Sequence, residues 1–227
     1  MFTISSLFAA SKIAETLIPL EQKHKRDPKN HDVLCSLAYT LYKLHRYPEA
    51  AEYFKKALAL EKHEDAFDVL HYLGMALARS GKNEEALEYF KETAKLNSQD
   101  FLINYNLGRT LSELKFYKEA AGAYAKAISI HPQDSEVHYN LGNVLANLER
   151  YPEAIKSYTE AVRLNAQNWK AYNNLARIQY ILGNNSETIS NLKKAHELVP
   201  QNATITENLN AIHANSVAPL NHSSLNL

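Results

Sequence analysis

The sequence predicts an all-α fold built from repeated helix-turn-helix hairpins, an α-solenoid, and three observations support this prediction. First, one pattern recurs three times between Leu102 and Asn202, with Leu107, Leu141 and Leu175 in equivalent positions 34 residues apart. Second, the apolar residues within each repeat lie three and four positions apart, which is the spacing of an amphipathic helix. Third, a break near the middle divides each repeat into two such helices. A strict period of this length is typical of stacked helical hairpins.

The regular units begin at His31, and the residues before it form a less regular segment in which Pro19 should kink or divide a helix. Asp65 and Ala66 are two extra residues, which we expect a surface turn to absorb. The predicted boundaries are 1–30 for an atypical N-terminal helical cap, 31–66, 67–100, 101–134, 135–168 and 169–202 for five repeat units, 203–214 for a C-terminal capping helix, and 215–227 for a disordered tail.

Small and large residues alternate at fixed positions of the repeat, which predicts how the helices pack. Small residues let two helices approach closely, and one large residue per unit fills the remaining space. The small residue of the first helix is Ala38, Gly74, Gly108, Gly142 or Ala176. Those of the second helix are Ala50, Ala86, Ala120 and Ala154, followed by Ala57, Thr93, Ala127, Ala161 and Ala195. The large residue is Phe54, Phe90, Tyr124, Tyr158 or Leu192.

These residues resemble the tetratricopeptide repeat (TPR), over about three quarters of the chain. The N-L-G core, the A-x-x-x-F/Y pattern and the closing Pro132 and Pro200 carry the resemblance. Departures are Thr188 where Ala is expected, and Lys62, Ser98 and Ala166 where Pro is usual. The resemblance implies a right-handed TPR superhelix in which the first helix of each hairpin lines a concave surface.

One asparagine precedes the central leucine of each later first helix. At about 100° per residue, this position lies about a quarter turn from the buried side, on the rim of the exposed side. The asparagines are Asn106, Asn140 and Asn174, and Asn208 has the same place in the terminal helix.

The asparagines are similar to those in the repeat arm of O-linked N-acetylglucosamine transferases, which grip the backbone of an extended peptide. That resemblance implies peptide binding by Asn106, Asn140 and Asn174, because a carboxamide both donates and accepts hydrogen bonds. The alternative is that these amides only bond between adjacent helices. Three asparagines at about 0.5–1.5 kcal/mol per hydrogen bond give roughly 2–4 kcal/mol, whereas micromolar binding needs about 8 kcal/mol.

Side chains on the same face are the candidates for the remaining binding energy. Tyrosine offers a large contact area and a polar tip for little lost entropy, although each ring alone could simply be packed on the surface. The tyrosines are Tyr39, Tyr42, Tyr72, Tyr105, Tyr139 and Tyr180, and the polar candidates are Arg109, Asn143 and Arg177. The family's two-carboxylate clamp needs a lysine one turn before the asparagine of the first helix. Cys35, His71, Tyr105, Tyr139 and Asn173 stand at that position instead.

Composition excludes several function classes. Lys plus Arg and Asp plus Glu both count 25 in 227 residues, so no global field attracts nucleic acid. No stretch is long and apolar enough to cross a bilayer, and the N-terminus lacks the basic region of a signal peptide. The single cysteine, Cys35, excludes an internal disulfide framework and favours the cytoplasm.

The sequence shows no pattern of an enzyme, a metal site or a cofactor site. The ten histidines include no H-E-x-x-H and no close grouping with ligand spacing. Ser80-Gly81-Lys82 lacks the upstream glycine of a phosphate-binding loop. A Cys35 nucleophile needs a base, and none is evident from the sequence.

We therefore predict a cytoplasmic, non-enzymatic adaptor or scaffold that binds an extended segment of a protein partner in a groove. The rival hypothesis is a scaffold that self-assembles through the apolar segment Phe2 to Leu20, which carries Phe2, Ile4, Leu7 and Phe8. A chaperone for one client is a third possibility, with the same sequence features as the first.

Overall fold

The computed structural model describes residues 13–60 and 66–215. The predicted contributions of Phe2, Ile4, Leu7 and Phe8, and of the tail beyond Asn215, lie outside these residues. Within them no helix is long and apolar enough to span a membrane.

Twelve helices account for nearly all of the described residues, and no strand occurs among them. They are α1 (Leu17–Arg26), α2 (His31–Lys43), α3 (Tyr47–Leu58), α4 (Phe67–Arg79), α5 (Asn83–Leu96), α6 (Phe101–Glu113), α7 (Tyr117–Ile130), α8 (Ser135–Asn147), α9 (Tyr151–Leu164), α10 (Trp169–Ile181), α11 (Asn185–Leu198) and α12 (Ala203–Asn215). The even-numbered helices are the predicted first helices of the hairpins, and the odd-numbered helices from α3 onward are the second helices.

The helices form two compact units, Met1–Lys115 and Phe116–Leu227. In the first unit each helix from α1 to α6 packs on the next, and in the second unit each helix from α7 to α12 does the same. First helices of neighbouring hairpins also contact each other, α2 with α4, α4 with α6 and α8 with α10. This arrangement confirms the predicted all-α fold of consecutive helix-turn-helix repeats.

Most first helices begin at an asparagine or aspartate whose side chain accepts a hydrogen bond from a backbone amide three residues later. This bond satisfies one of the free amides of the first turn. Asn30, Asp100, Asp134, Asn168 and Asn202 make it, at distances of 3.0–3.1 Å. Helix α4 is the exception, because Ala66 precedes it without a side-chain cap. Ala66 is fully buried, so our expectation that a surface turn holds it was wrong.

Helix α1 shows where the irregular first segment divides. The backbone turns at Thr16, whose amide donates to the Ile13 carbonyl at 3.1 Å. Pro19 follows as the third residue of α1. Proline is tolerated in the first turn because the amide it lacks would have no partner there. The division therefore lies three residues before the predicted proline and not at it.

The predicted small positions are the places where helices approach most closely. A Cβ atom added to Gly142 of α8 would lie 2.6 Å from the ring of Tyr158 on α9, and one added to Gly74 of α4 would lie 2.9 Å from Phe90 on α5. Phe90 and Tyr158 are fully buried, with no exposed area. In these two hairpins the large ring of the second helix therefore occupies the space that the glycine of the first helix leaves open.

The two positions where threonine replaces alanine are equally buried. Thr93 and Thr188 have no exposed surface. Thr93 donates its hydroxyl to the Tyr89 and Phe90 carbonyls, each at 3.0 Å. Thr188 donates to the Asn184 carbonyl at 2.8 Å. Since each hydroxyl bonds within its own helix, the substitution adds no unsatisfied polar group to the interface.

We predict opposite effects for one substitution at two helical glycines of the second unit. Gly142→Ala places a methyl group against Tyr158, whereas nothing lies within 4 Å of a Cβ at Gly122. Both changes gain helix propensity, so the difference between them isolates packing, and overpacking typically costs about 1–3 kcal/mol. Denaturant unfolding followed by circular dichroism should show Gly122→Ala stabilised and Gly142→Ala destabilised. Equal stability of the two variants would show that the helices can separate freely.

Candidate functional site

A cleft opens between the first helices α2 and α4 of the first unit, with a volume of about 320 Å³. It is lined by His31, Cys35, Tyr39, Phe54, Asp68, Val69 and Tyr72. Tyr39 is 40% exposed, Tyr72 is half-buried, and Phe54 beneath them is almost fully buried. The cleft therefore has an aromatic floor and rim, with a carboxylate, an imidazole and a thiol at its edge.

Ring contacts hold the tyrosines of this cleft in place. Tyr39 and Tyr72 meet edge to face, with centroids 5.2 Å apart at 86°. Tyr72 also stacks on Phe54 at 6.0 Å and 13° and contacts Tyr42 edge to face at 5.8 Å. Such pairs stabilise by about 0.5–1.5 kcal/mol beyond their area burial, so the face is preorganised.

The thiol of Cys35 has an imidazole beside it. Its Sγ lies 3.5 Å from His31 Nε2, and the Nδ1 of the same ring lies 3.6 Å from Asp32 Oδ1. The sequence nominated no base for Cys35, and the structure places the imidazole of His31 beside it. The spacing of His31 and Cys35, one helical turn apart on α2, was the available signal.

His71 and Asn106 meet in the interior between α4 and α6. Asn106 Nδ2 lies 3.5 Å from His71 Nε2, and the two residues are only 6% and 8% exposed. Burial lowers the pKa of His71, and the carboxylates of Asp100 and Asp68 partly oppose this shift. The rim position predicted for Asn106 was wrong, because the neighbouring first helix covers that flank of α6.

The other predicted residues of the first unit lie on exposed or half-buried surface of the first helices. The Tyr105 ring stacks on Phe101, one turn earlier on α6, at 6.2 Å and 12°. Arg109 is half-buried, and its charge acts on the phenol of Tyr42. The charge of Arg79, at the end of α4, also acts on this phenol. Burial raises the pKa of Tyr42 despite both guanidinium groups, so this phenol stays neutral at physiological pH.

In the second unit, three side chains share a hydrogen-bond network centred on Asn143 Oδ1. This oxygen accepts from Tyr158 Oη at 2.7 Å and from Asn174 Nδ2 at 2.8 Å. The Asn174 amide also donates to Tyr158 Oη at 3.3 Å, and the charge of Arg177 acts on the same phenol. Burial raises the pKa of Tyr158, although Asn174 and Arg177 act against the shift. The network joins α8, α9 and α10, so Asn143 and Asn174 bond between helices.

The remaining predicted residues of the second unit have different environments. Tyr139 and Asn140 of α8 are half-buried, and the Tyr139 ring tilts against Tyr158 at 5.9 Å. Among the described residues the Asn140 side chain has no hydrogen-bond partner. Tyr180 and Asn208 are only 6% and 2% exposed, so the exposed positions predicted for them were wrong.

Sequence reasoning missed the buried phenol of Tyr158 as a hydrogen-bonding group, and the cleft residues His31 and Asp68. The sequence signal for Tyr158 was its hydroxyl group, because the equivalent position holds phenylalanine, Phe54 and Phe90, in the two repeats that begin the array. A tyrosine that is fully buried needs a partner for that hydroxyl.

Asn140 and Asn174 occupy equivalent positions, yet their substitution by alanine should affect stability differently. We expect Asn174→Ala to lower the free energy of unfolding by about 1 kcal/mol or more, because it removes two bonds of a buried network. Asn140→Ala, which removes no bond, should leave it unchanged. Urea unfolding of both variants measures this difference, and the hypothesis of a purely interhelical role for both residues requires equal losses.

His71 should make stability depend on pH. Its pKa is lowered in the folded chain, so below about pH 6.5 the unfolded chain binds more protons than the folded chain. The contribution of neutral His71 to the free energy of unfolding is therefore complete above that pH, and it is lost as the pH falls towards the lowered pKa. Urea unfolding between pH 7.5 and 5 should show a steeper loss for the natural chain than for His71→Gln.

Comparisons with known proteins agree with this architecture. Ycf3, a photosystem I assembly protein of Acaryochloris marina (strain MBIC 11017), is 30% identical over 110 residues, which are 47% of this chain and 63% of that protein. The match thus spans less than two thirds of the relative's length.

Solved structures with the same fold include YrrB, described as a TPR protein with an unusual peptide-binding site. Its TM-score is 0.72 at 19% identity, over 87% of this chain and 97% of YrrB. MamA from Desulfovibrio magneticus RS-1, from residue 41 onward, has a TM-score of 0.71 at 22% identity, over 76% of this chain and 97% of that structure. These likenesses show the fold alone.

The family model described as Tetratricopeptide repeat matches residues 31–99 and, in overlapping stretches, residues 71–135, 105–168 and 139–203. These matches cover more than half of the chain, and the helical hairpins of the structure occupy the same residues. The chain therefore belongs to the tetratricopeptide repeat family.

Proposed function

We propose that this chain is a non-enzymatic adaptor or scaffold, whose first helices bind an extended segment of a protein partner. The observation that carries the proposal is the cleft between α2 and α4, where Tyr39 and Tyr72 from consecutive first helices border one cavity. A volume of about 320 Å³ lies at the lower end of the roughly 300–1,000 Å³ typical of ligand pockets. It suits one or two side chains of a peptide rather than a large cofactor.

The chemistry of the cleft supports peptide binding. Exposed tyrosines bury much area with few rotatable bonds, so they lose little conformational entropy on binding. Ring contacts already fix Tyr39 and Tyr72, which lowers that cost further. A peptide side chain that buries about 100 Å² of apolar surface there would gain about 2.5 kcal/mol. Two or three such contacts, together with a few hydrogen bonds, reach micromolar affinity.

Fewer of the predicted asparagines remain candidates for contact with a peptide. Asn106 is buried beside His71, Asn208 is buried in α12, and Asn174 bonds to Asn143 and Tyr158. Asn140 is half-buried with no hydrogen bond among the described residues, so its amide can meet a peptide backbone without breaking an existing bond. The role implied by the transferase resemblance therefore falls first on Asn140, with Tyr139 and Arg177 beside it in the same unit.

The names of the related proteins describe comparable roles. YrrB is described as having a peptide-binding site, and Ycf3 as an assembly protein. The same kind of role in this chain is part of the proposal. Protein is the proposed partner class, since the net charge of zero favours neither nucleic acid nor acidic membranes. The single free thiol is consistent with work in the reducing cytoplasm.

Affinity capture from extracts of the native cell tests this function. Tyr39→Ala should reduce recovery of a specific partner about tenfold or more, because each hot-spot residue contributes about 1.4 kcal/mol or more. Tyr89→Ala, which removes a half-buried tyrosine from the second helix α5, is the matched control and should retain the partner. Unchanged melting temperatures would show that both variants are folded.

The single thiol provides a second readout. Cys35 lines the cleft, so a partner seated there should slow its alkylation by iodoacetamide. A partner captured equally by both variants, with no protection of Cys35, would contradict binding at this cleft.

A further inference from the structure

The six arginines of the helical hairpins, from Arg46 onward, fall into two groups with different partners. Arg46, Arg150 and Arg163 lie on second helices or the residues that precede them, and each holds a glutamate with two hydrogen bonds of 2.6–2.8 Å. Arg79, Arg109 and Arg177 lie on first helices and form no salt bridge within the described residues. The charge of the first-helix arginines is therefore not compensated by a carboxylate.

In the first unit the uncompensated cations gather around the tyrosines. The Tyr42 ring contacts Tyr72 of the cleft at 5.8 Å, and the charges of Arg79 and Arg109 both act on the Tyr42 phenol. The ammonium of Lys43 lies 5.1 Å from the centre of the Tyr39 ring. These cations come from three consecutive first helices, α4, α6 and α2. Each faces a neutral aromatic group, which orients the charge but leaves it unneutralised.

The acidic groups of these helices do not neutralise the cations. Asp68 and Asp100 lie at the starts of α4 and α6, whereas Arg79 ends α4. Glu113 follows Arg109 by one turn on α6, yet the two form no salt bridge within the described residues. Asp68 and Asp100 therefore lie away from Arg79, and Glu113 ends α6 without forming a salt bridge within the described residues.

A favourable interaction with helix dipoles explains part of this pattern. Lys43 and Arg79 lie in the last turns of α2 and α4, where cations are stabilised. Arg109 lies before the last turn of α6, which contains no basic residue. The dipole therefore does not explain Arg109, which is also half-buried.

We propose that the partner segment bound by the first unit is acidic, with a carboxylate that meets Arg79 and Arg109 next to an apolar or aromatic side chain that enters the cleft. This inference rests on the proposed function. Arginine suits the role because its planar group offers five donors and can hold a carboxylate with two parallel hydrogen bonds. Because the positive charge of Arg79 and Arg109 complements an acidic segment, a separate protein partner is the proposed occupant.

A peptide selection tests the inference. The full chain would be used to select binders from a random twelve-residue library displayed on phage, and the enriched sequences would then be synthesised with a fluorophore. We expect enrichment of Asp and Glu beside an aromatic or large aliphatic residue. Affinity of the best peptide should fall with added salt, and about tenfold when its key carboxylate is replaced by an amide, as expected for a charge-assisted contact.

Charge variants locate the contact. Arg79→Gln with Arg109→Gln should weaken the acidic peptide at least about tenfold and remove most of its salt dependence. Arg150→Gln with Arg163→Gln removes the same charge from the glutamate-paired group and is the control, with affinity unchanged.

The outcomes separate the two proposals. Peptides that bind without acidic enrichment, or that bind the Arg79→Gln, Arg109→Gln variant equally well, would overturn the acidic partner but leave peptide binding standing. If no selected peptide slows the alkylation of Cys35, both the acidic partner and peptide binding at this cleft would be overturned. If the chain associates with itself in a salt-sensitive way, and the double variant abolishes this association, the occupant is a second copy of the chain. That result would contradict the proposal.

Discussion

Close approach of two helices at a small residue is the constraint on which the rest of the structure depends. In the hairpins of α4 with α5 and of α8 with α9, the large ring of the second helix lies where a methyl group on the first helix would stand. The ring and the small residue are both buried, so neither can change size alone without a void or a clash. Because this contact uses one side of the first helix, another side remains available for recognition.

The same packing constraint decides which polar residues form hydrogen bonds inside the fold and which remain available to a partner. A tyrosine at the large position brings a hydroxyl into the interior, and Asn143 and Asn174 satisfy that hydroxyl in the second unit. Phe90 occupies the large position in the first unit and needs no such partner, and there the interior polar pair is His71 with Asn106. Equivalent asparagines therefore serve different purposes, because the residues opposite them differ. Asn140, which faces neither group, is the one left free.

Aromatic and charged residues give the face of the first unit its chemical character. Tyr72 of α4 contacts both Tyr39 and Tyr42 of α2, and within the described residues the cations around these rings have no carboxylate partner. The glutamate-paired arginines show that this chain forms salt bridges readily where both partners are present. Among the arginines of the hairpins, the three that have no glutamate partner within the described residues all lie on first helices, and they are the basis for inferring an acidic partner.

The sequence period predicts the helices, their order and the buried small and large positions, because those depend on spacing along one chain. It does not predict which side chain of a neighbouring helix covers a given flank. Asn106, Asn208 and Tyr180 were expected on the rim for this reason, and the adjacent helices bury them. The sequence also does not predict the left-handed backbone at His45, Lys115 and Glu149, which occupy the positions of Gly81 and Gly183 in other repeats. Residues other than glycine give no sign of that conformation.

Hydrogen–deuterium exchange with and without a selected peptide tests most directly whether the first helices are the recognition surface. If they are, amides of α2 and α4 and the cleft between them gain protection on binding, while α3 and α5 keep their exchange rates. Protection confined to the second helices, with α2 and α4 unchanged, would contradict recognition on this face.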